Sequence, residues 1–289
     1  MGASVLASRA ARLISPRHRH WRRLGASLTL DPDLLERPIA EPTRNDFVIC
    51  GLSRSGTSLL AAALYQPPRV VTVMEPWDGL RYPPAELFES LRREMSQGRL
   101  GRGRLDVALL TASGEVRWGR DGQYPHDVVI EPDASVGVKW PIFWRYLPLL
   151  PTTKFLVCIR HPAEVLSSFA SMDGTLGEGL DYGFAFNREM NQQLKEATED
   201  PALRRVLLLE YVASRIVPYL ERPNVFVVRY ERWFDDRESL MASIAEFLGI
   251  PLGPGFPEIR PPKNTRHDPQ TLAILRDAAP SATRLGYTI

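Results

Sequence analysis

Residues 49–60 read ICGLSRSGTSLL. Gly51 and Gly56 frame a short loop, Ser55, Thr57 and Ser58 place hydroxyls around the second glycine, and Arg54 adds a cation. Glycines let a backbone curl without Cβ clashes. A helix starting behind them presents its first N–H groups and about half a positive charge. The chemistry this serves is anion binding. The spacing nearly matches the G-x-x-x-x-G-K-[ST] phosphate loop, but the lysine position holds Thr57. No lysine is then placed to reach a γ-phosphate. The plain alternative is a tight turn capped by a hydroxyl.

A second stretch, KFLVCIRHPAEVLSSFASM at 154–172, repeats the grammar. Arg160 ends an apolar run, and Ser167 and Ser168 follow on a helical pattern. Residues eight apart across a strand–helix turn converge when the helix folds back beside the strand. An arginine and a serine hydroxyl then form a charge-assisted phosphate clamp. Alone, the pair is equally a structural corner. Coupled to the first loop, it points to one ligand with two separate anionic groups.

The surrounding elements must bring these two stretches together. NDFVIC reads as a buried strand and TSLLAAALYQ as a helix closed by Pro67 and Pro68. RVVTVM, SVGVKW, KFLVCIR and NVFVVRY are further strand candidates. Helical patterns cover AELFESLRREMSQ, a short piece at IFWRYLPLL, HPAEVLSSFASM with Pro162 near its first position, roughly 181–199, 202–220, and ESLMASIAEFLGI. Strands alternating with helices predict an α/β fold, a mostly parallel central sheet with helices on both faces. Ligands of such sheets sit at the carboxyl ends of the strands. Three parts are expected: a basic leader and lead-in loop at 1–45, one domain at 46–262 with an irregular insertion at 78–135 serving as a substrate lid, and a proline-rich C-terminal tail at 263–289.

Bulk numbers narrow the class. Of 289 residues, 44% are hydrophobic and 24% charged, which is ordinary for a globular protein. A net charge of +2 argues against a nucleic-acid binder held by bulk electrostatics. Cys50 and Cys158 lie in apolar runs and read as buried free thiols of a reducing compartment, hence a cytoplasmic protein. No window approaches the roughly 20 apolar residues of a membrane span. The N-terminus, MGASVLASRAARLISPRHRHWRR, is basic and free of acids. It reads as a frayed leader, with weak membrane-surface contact or organelle targeting as alternatives. Leu6 occupies the place of a myristoylation signal's hydroxyl residue. No cysteine–histidine cluster has metal-ligand spacing, so no metal site is expected.

ICGLSRSGTSLL resembles the 5′-phosphosulfate loop of sulfotransferases that use 3′-phosphoadenylyl sulfate. IRHPAEVLSSFASM is similar to that family's 3′-phosphate site, with Arg160 and Ser168 at the matching positions. VFVVRYERWFDDRESLMASIAEFLGIP resembles its later strand–helix segment, where Tyr230 falls on an adenine-side aromatic. The resemblance covers roughly residues 45–250, with a gap over 78–135. It implies a P-loop nucleotide-hydrolase-like architecture and a co-substrate without a γ-phosphate, so neither the lysine nor Mg²⁺ is needed. It also implies that Arg54, Ser55, Gly56, Thr57, Ser58, Arg160, Ser168 and Tyr230 bind the donor. Arg54 in place of the loop lysine is typical of carbohydrate and protein-tyrosine sulfotransferases. The reaction implied is sulfonate transfer to a hydroxyl acceptor: a glycan, a glycolipid or a small metabolite.

In the family a lysine near Lys139 helps hold the transferring sulfonate. Many cytosolic members carry a histidine base in the same stretch, where this chain has Trp140 and Pro141. That departure leaves Glu75, in VTVMEPW, as the expected base, with Asp78 second. Carbohydrate and protein-tyrosine members carry their base glutamate at a comparable distance past the loop. His126 and His161 read as surface or turn residues. Trp77, Tyr82, Trp118 and Tyr124 are candidates to stack on a sugar or simply to pack a loop. Two other classes stay open: a P-loop kinase, which ATP and Mg²⁺ dependence would reveal, and a binding protein that keeps the nucleotide site without turnover.

Overall fold

The computed structural model describes residues 39–80, 82–97, 107–111, 114–118, 130–172, 174–181, 187–251, 253, 259 and 269–289. The basic leader, the run GRLGRGRLD, Tyr124 and His126 lie outside the described residues, as do the side chains of Trp77 and Trp118.

Five short strands form one parallel sheet: β1 Phe47–Gly51, β2 Val70–Met74, β5 Ser135–Lys139, β6 Lys154–Ile159 and β7 Val225–Arg229. Their order is β2-β5-β1-β6-β7, and every pairing is parallel. Alternation along β1 explains the layering. Val48 and Cys50 join one apolar cluster, and Phe47 and Ile49 join the other. A strand buried on both sides has to be apolar throughout, as FVICG is.

Helices cover both faces. On one lie α1 (Thr57–Leu64), the short α6 (Arg232–Asp235) and α7 (Arg237–Leu248), which supply Leu59, Leu60, Trp233, Leu240 and Ile244 to the core. On the other lie α2 (Pro84–Ser96), the 3₁₀ turn Pro141–Tyr146, α3 (Pro162–Ala170), α4 (Arg188–Ala197) and α5 (Pro201–Ile216). Local chemistry sets the ends. Asp200 caps α5 by accepting from the N–H groups of Ala202 and Leu203 at 2.9 and 3.4 Å. Gly249 closes α7 at φ 67°, where a side chain would be strained. The doubly wound α/β architecture is the one expected.

Regular elements stand in both regions expected to be irregular. The stretch 78–135 holds the helix read at AELFESLRREMSQ and a hairpin. Within it, α2 buries Leu87, Phe88, Leu91 and Met95 in the main core, at spacing that puts them on one helix face. Arg92 on the same helix pairs with buried Asp46 and donates to the Ala134 carbonyl. The antiparallel hairpin β3 (Ala108–Leu110) and β4 (Val116–Trp118) packs on α1. The C-terminal segment expected as a tail also carries helices. There α8 (Pro269–Ala278) and α9 (Pro280–Thr283) pack on α5, and α8 also reaches α3. Its prolines open the two helices instead of breaking them, because a missing N–H costs nothing in a first turn. Glu210 of α5 fixes α9 by accepting from the N–H groups of Ser281 and Ala282 at 2.8 and 3.1 Å.

This packing generates a stability prediction. Leu275 on α8 is fully buried. Leu275→Ala is expected to lower unfolding free energy by about 2–5 kcal/mol, measured by urea titration. A change near zero would return the segment to the status of a tail.

Candidate functional site

The sheet order turns scattered residues into a row. Each candidate stands where its strand ends: Glu75 after β2, Lys139 at the end of β5, the loop 51–56 after β1, Arg160 after β6 and Tyr230 after β7. Neighbouring strands lie about 4.8 Å apart, so the row spans about 19 Å. The loop occupies its middle. Arg160, Ser168 and Tyr230 lie on one side of it and Lys139 and Glu75 on the other.

The loop is built by close approach. Gly51 has φ 125°, and a Cβ there would meet the Cys158 carbonyl oxygen at 2.2 Å. The same carbonyl accepts from the Leu52 N–H at 3.1 Å, and Ser55 N–H returns to Leu52 oxygen at 3.2 Å. Gly56 adopts the left-handed conformation at φ 84° and starts α1 without any side-chain cap. The N-terminus of α1 is therefore left to whatever the loop encloses. Ser55 is buried, and its Oγ has no hydrogen-bond partner. Thr57 is also buried; Ser58 is partly exposed, and Arg54 is exposed.

The two anion motifs meet directly. Arg54 Nε–H donates to Ser168 Oγ at 3.0 Å, and an Arg160 guanidinium N–H reaches the Arg54 carbonyl at 3.4 Å. Arg160 also pairs with Glu164 at 3.0 Å, one helical turn ahead, and lies 4.5 Å over the Tyr230 ring. That ring covers Gly56: a Cβ there would meet it at 2.6 Å. Burial pushes the Tyr230 phenol up, against the pull of Arg160 and Arg54, so at neutral pH it is an uncharged aromatic face.

On the other side, Lys139 Nζ donates to Glu75 Oε1 at 2.6 Å, and Glu75 N–H donates to the Lys139 carbonyl at 2.8 Å. The Lys139 side chain is 3% exposed and that of Glu75 28%. Lys139 is therefore no surface charge. Among the described residues, the two non-glycine positions with positive φ are Arg54 (71°) and Glu75 (44°). Left-handed backbone costs a side-chain-bearing residue about 1–3 kcal/mol and clusters at functional sites. Asp78 lies on the 3₁₀ turn Trp77–Leu80, one step further from the row.

Some expected residues stand elsewhere, and others join unannounced. Tyr82 lines an open groove of about 380 Å³ along α2 with Glu86, Glu89 and Arg93, beside the lead-in segment at Pro42 and Thr43. His161 is half-buried and caps α3, its ring accepting from the Ala163 N–H at 3.3 Å. Glu164 is a partner of Arg160 that the i,i+4 spacing could have announced. Glu231 and Tyr287 also reach the row's Tyr230 end, with no local signal to join them. Both cysteines are free and buried. Among the described residues no group of three or more His, Cys, Asp or Glu is arranged to hold a metal ion, and no helix is long and apolar enough to cross a membrane.

The model of the sulfotransferase family matches residues 46–254. No curated protein sequence matches the chain. A sulfotransferase from Alicyclobacillus acidocaldarius is similar at 17% identity and a TM-score of 0.45, over 86% of this chain and 95% of that one. A sulfotransferase domain of the Synechococcus PCC 7002 olefin synthase is similar at 16% identity and 0.42, over 88% and 91%. A mouse sulfotransferase complexed with PAP is similar at 14% identity and 0.37, over 88% and 70%.

The contact between Gly56 and Tyr230 yields the next prediction. Gly56→Ala combines a strained φ with a Cβ driven into the Tyr230 ring. Anion binding at the loop is expected to fall about fivefold or more, given about 1–3 kcal/mol for such strain. Calorimetry with adenosine 3′,5′-bisphosphate checks it, and unchanged affinity would show that the ring yields freely.

Proposed function

The chain belongs to the sulfotransferase family, and from that premise we propose that its donor is 3′-phosphoadenylyl sulfate and that its strand-end row divides the work as follows. The donor nucleotide lies across the ends of β1, β6 and β7. Its 3′-phosphate is held by Arg160 and Ser168, its adenine side faces Tyr230, and its 5′-phosphosulfate sits in the loop on Ser55, Gly56, Thr57 and Ser58. Transfer takes place between the loop and the Lys139–Glu75 pair. The observation that carries this reading is the strained backbone at Arg54 and Glu75, one on each side of where the sulfur would stand.

Sulfonate transfer is in-line and loose, so positioning and electrostatics dominate, as for phosphoryl groups. The acceptor oxygen bonds to sulfur as the bond from sulfur to the bridging oxygen breaks. That electron pair stays on the 5′-phosphate, where Arg54 and the N–H groups of α1 stabilise it. Lys139 holds the sulfonate oxygens. The acceptor's hydroxyl proton passes to Glu75. The acceptor is a hydroxyl of a carbohydrate, a lipid or a small metabolite. The two buried free thiols support a reducing compartment such as the cytoplasm.

Two measurements test the donor and the base. Adenosine 3′,5′-bisphosphate is expected to bind in the micromolar range or tighter with EDTA present, and Arg160→Ala to weaken it about tenfold or more, from a charged hydrogen bond worth about 1.5–3 kcal/mol. Equal affinity for adenosine 5′-phosphate would remove the 3′-phosphate clamp. In a radiolabelled-sulfate transfer assay with an acceptor found by screening extracts, Glu75→Gln is expected to cut turnover about 10²–10⁴-fold while bisphosphate binding holds and Asp78→Asn is mild. The reverse pattern would move the base to Asp78.

A further inference from the structure

Three features converge on the residues that follow Arg160 and Tyr230 in the chain. Glu231 follows Tyr230 directly, and its carboxylate bridges two partners. Oε1 accepts from the His161 backbone N–H at 2.9 Å, and Oε2 accepts from the Tyr287 hydroxyl at 2.7 Å. His161 follows Arg160 directly. The carboxylate thus ties the turn leaving β6 to the turn leaving β7, where the Tyr230 N–H already donates to the Ile159 carbonyl at 2.9 Å.

The Tyr287 ring is gripped as well. It meets the His161 ring edge-on, with centroids 5.4 Å apart, and Arg229 lies 4.9 Å over its face. His161 Nε2 reaches the Thr288 carbonyl at 3.2 Å while its other nitrogen accepts from Ala163. One neutral tautomer, with its proton on Nε2, satisfies both contacts. The segment carrying Tyr287 is itself fixed, because Ala282 and Leu285 are fully buried beneath it. Burial and the Glu231 hydrogen bond hold the Tyr287 phenol well above its ordinary range, so it stays a donor. Tyr287, Thr288 and the buried Ala282 and Leu285 lie beyond residue 254, where the family match ends, while His161, Arg229 and Glu231 lie within it.

We propose that the C-terminal segment 284–289 is the positioning element of the donor site's 3′-phosphate clamp, with Tyr287 acting through Glu231 on Arg160 and Tyr230. Tyr287 is a positioning residue. It orients the carboxylate that holds the His161 N–H, and so sets the direction in which Arg160 leaves β6. A residue without such a backstop would have to be ordered by the ligand, at a cost in rotamer entropy. The inference rests on the reading of Arg160 as a 3′-phosphate ligand.

The test compares affinities of the full chain for adenosine 3′,5′-bisphosphate and adenosine 5′-phosphate by calorimetry. Tyr287→Phe keeps the ring and removes one hydroxyl. It is expected to lower bisphosphate affinity about three- to tenfold, as for loss of one charged hydrogen bond felt partly through a neighbour, with monophosphate affinity held within about twofold. A general loss of structure would weaken both alike, so the ratio reports positioning. In an Arg160→Ala background the Tyr287→Phe effect on the ratio is expected to vanish. Glu231→Ala, which removes the bridge without touching Tyr287, is expected to lower the ratio in the same direction and supplies the second arm if Tyr287→Phe destabilises the fold. If Arg160→Ala collapses the ratio while Tyr287→Phe and Glu231→Ala leave it unchanged, the inference fails and the clamp stands. If Arg160→Ala leaves the ratio unchanged, the clamp itself is wrong and the inference goes with it.

Discussion

Everything at the row of strand ends depends on how closely β1 and β6 approach at Gly51. The Cys158 carbonyl occupies the space a side chain would take. Any other residue there would push the two central strands apart at the point where the loop begins. That one contact sets where the loop leaves the sheet, and hence where α1 aims its N–H groups. It also fixes Arg160 two residues beyond Cys158, on the adjacent strand. The distance between the two candidate anion sites is thus a property of sheet hydrogen bonding more than of either loop.

With that spacing set, the strand order distributes the chemistry. β6 and β7 lie on one side of β1, and β5 and β2 on the other. Arg160 and Lys139 therefore come from opposite halves of the sheet, the first as donor ligand and the second facing the reacting bond under the proposed roles. The helices serve this layout unequally. α1 supplies an N-terminus with no side-chain cap, while α3 supplies the half-buried Ser168 and Glu164. The others are packing: α2, α5 and α7 bury the two faces of the sheet so that its edge row stays rigid.

Much of this was legible in the residues themselves. FVIC and FLVCI are unbroken apolar runs followed by glycine and arginine, and both the strands and the turns after them could be read from that change alone. Glu75 and Lys139 could be placed at strand ends, but not beside each other. Their pairing follows from β2 and β5 being neighbours, a fact of sheet order on which local sequence is silent. The C-terminal helices were missed because their prolines read as breakers, although Pro269 and Pro280 only mark first turns. Glu231 and Tyr287 were missed for a different reason: 56 residues separate them in sequence, and each is unremarkable until the other is beside it. Arg54 and Ser168 belonged to separate motifs, and their hydrogen bond could be seen only in three dimensions.

The Lys139–Glu75 pair has a consequence for the catalytic cycle under the proposed roles. Before transfer the pair is neutral overall. Once Glu75 carries the acceptor's proton, the pair has a net positive charge around an ammonium side chain that is only 3% exposed, a costly arrangement. That excess positive charge favours keeping the newly formed bisphosphate, an anion, until the proton has gone. Glu75 is the more exposed partner, so the proton's way out to water runs through the carboxylate. Resetting the enzyme for another turnover is then a separate event from making the sulfate ester, and the order of product departure is tied to it.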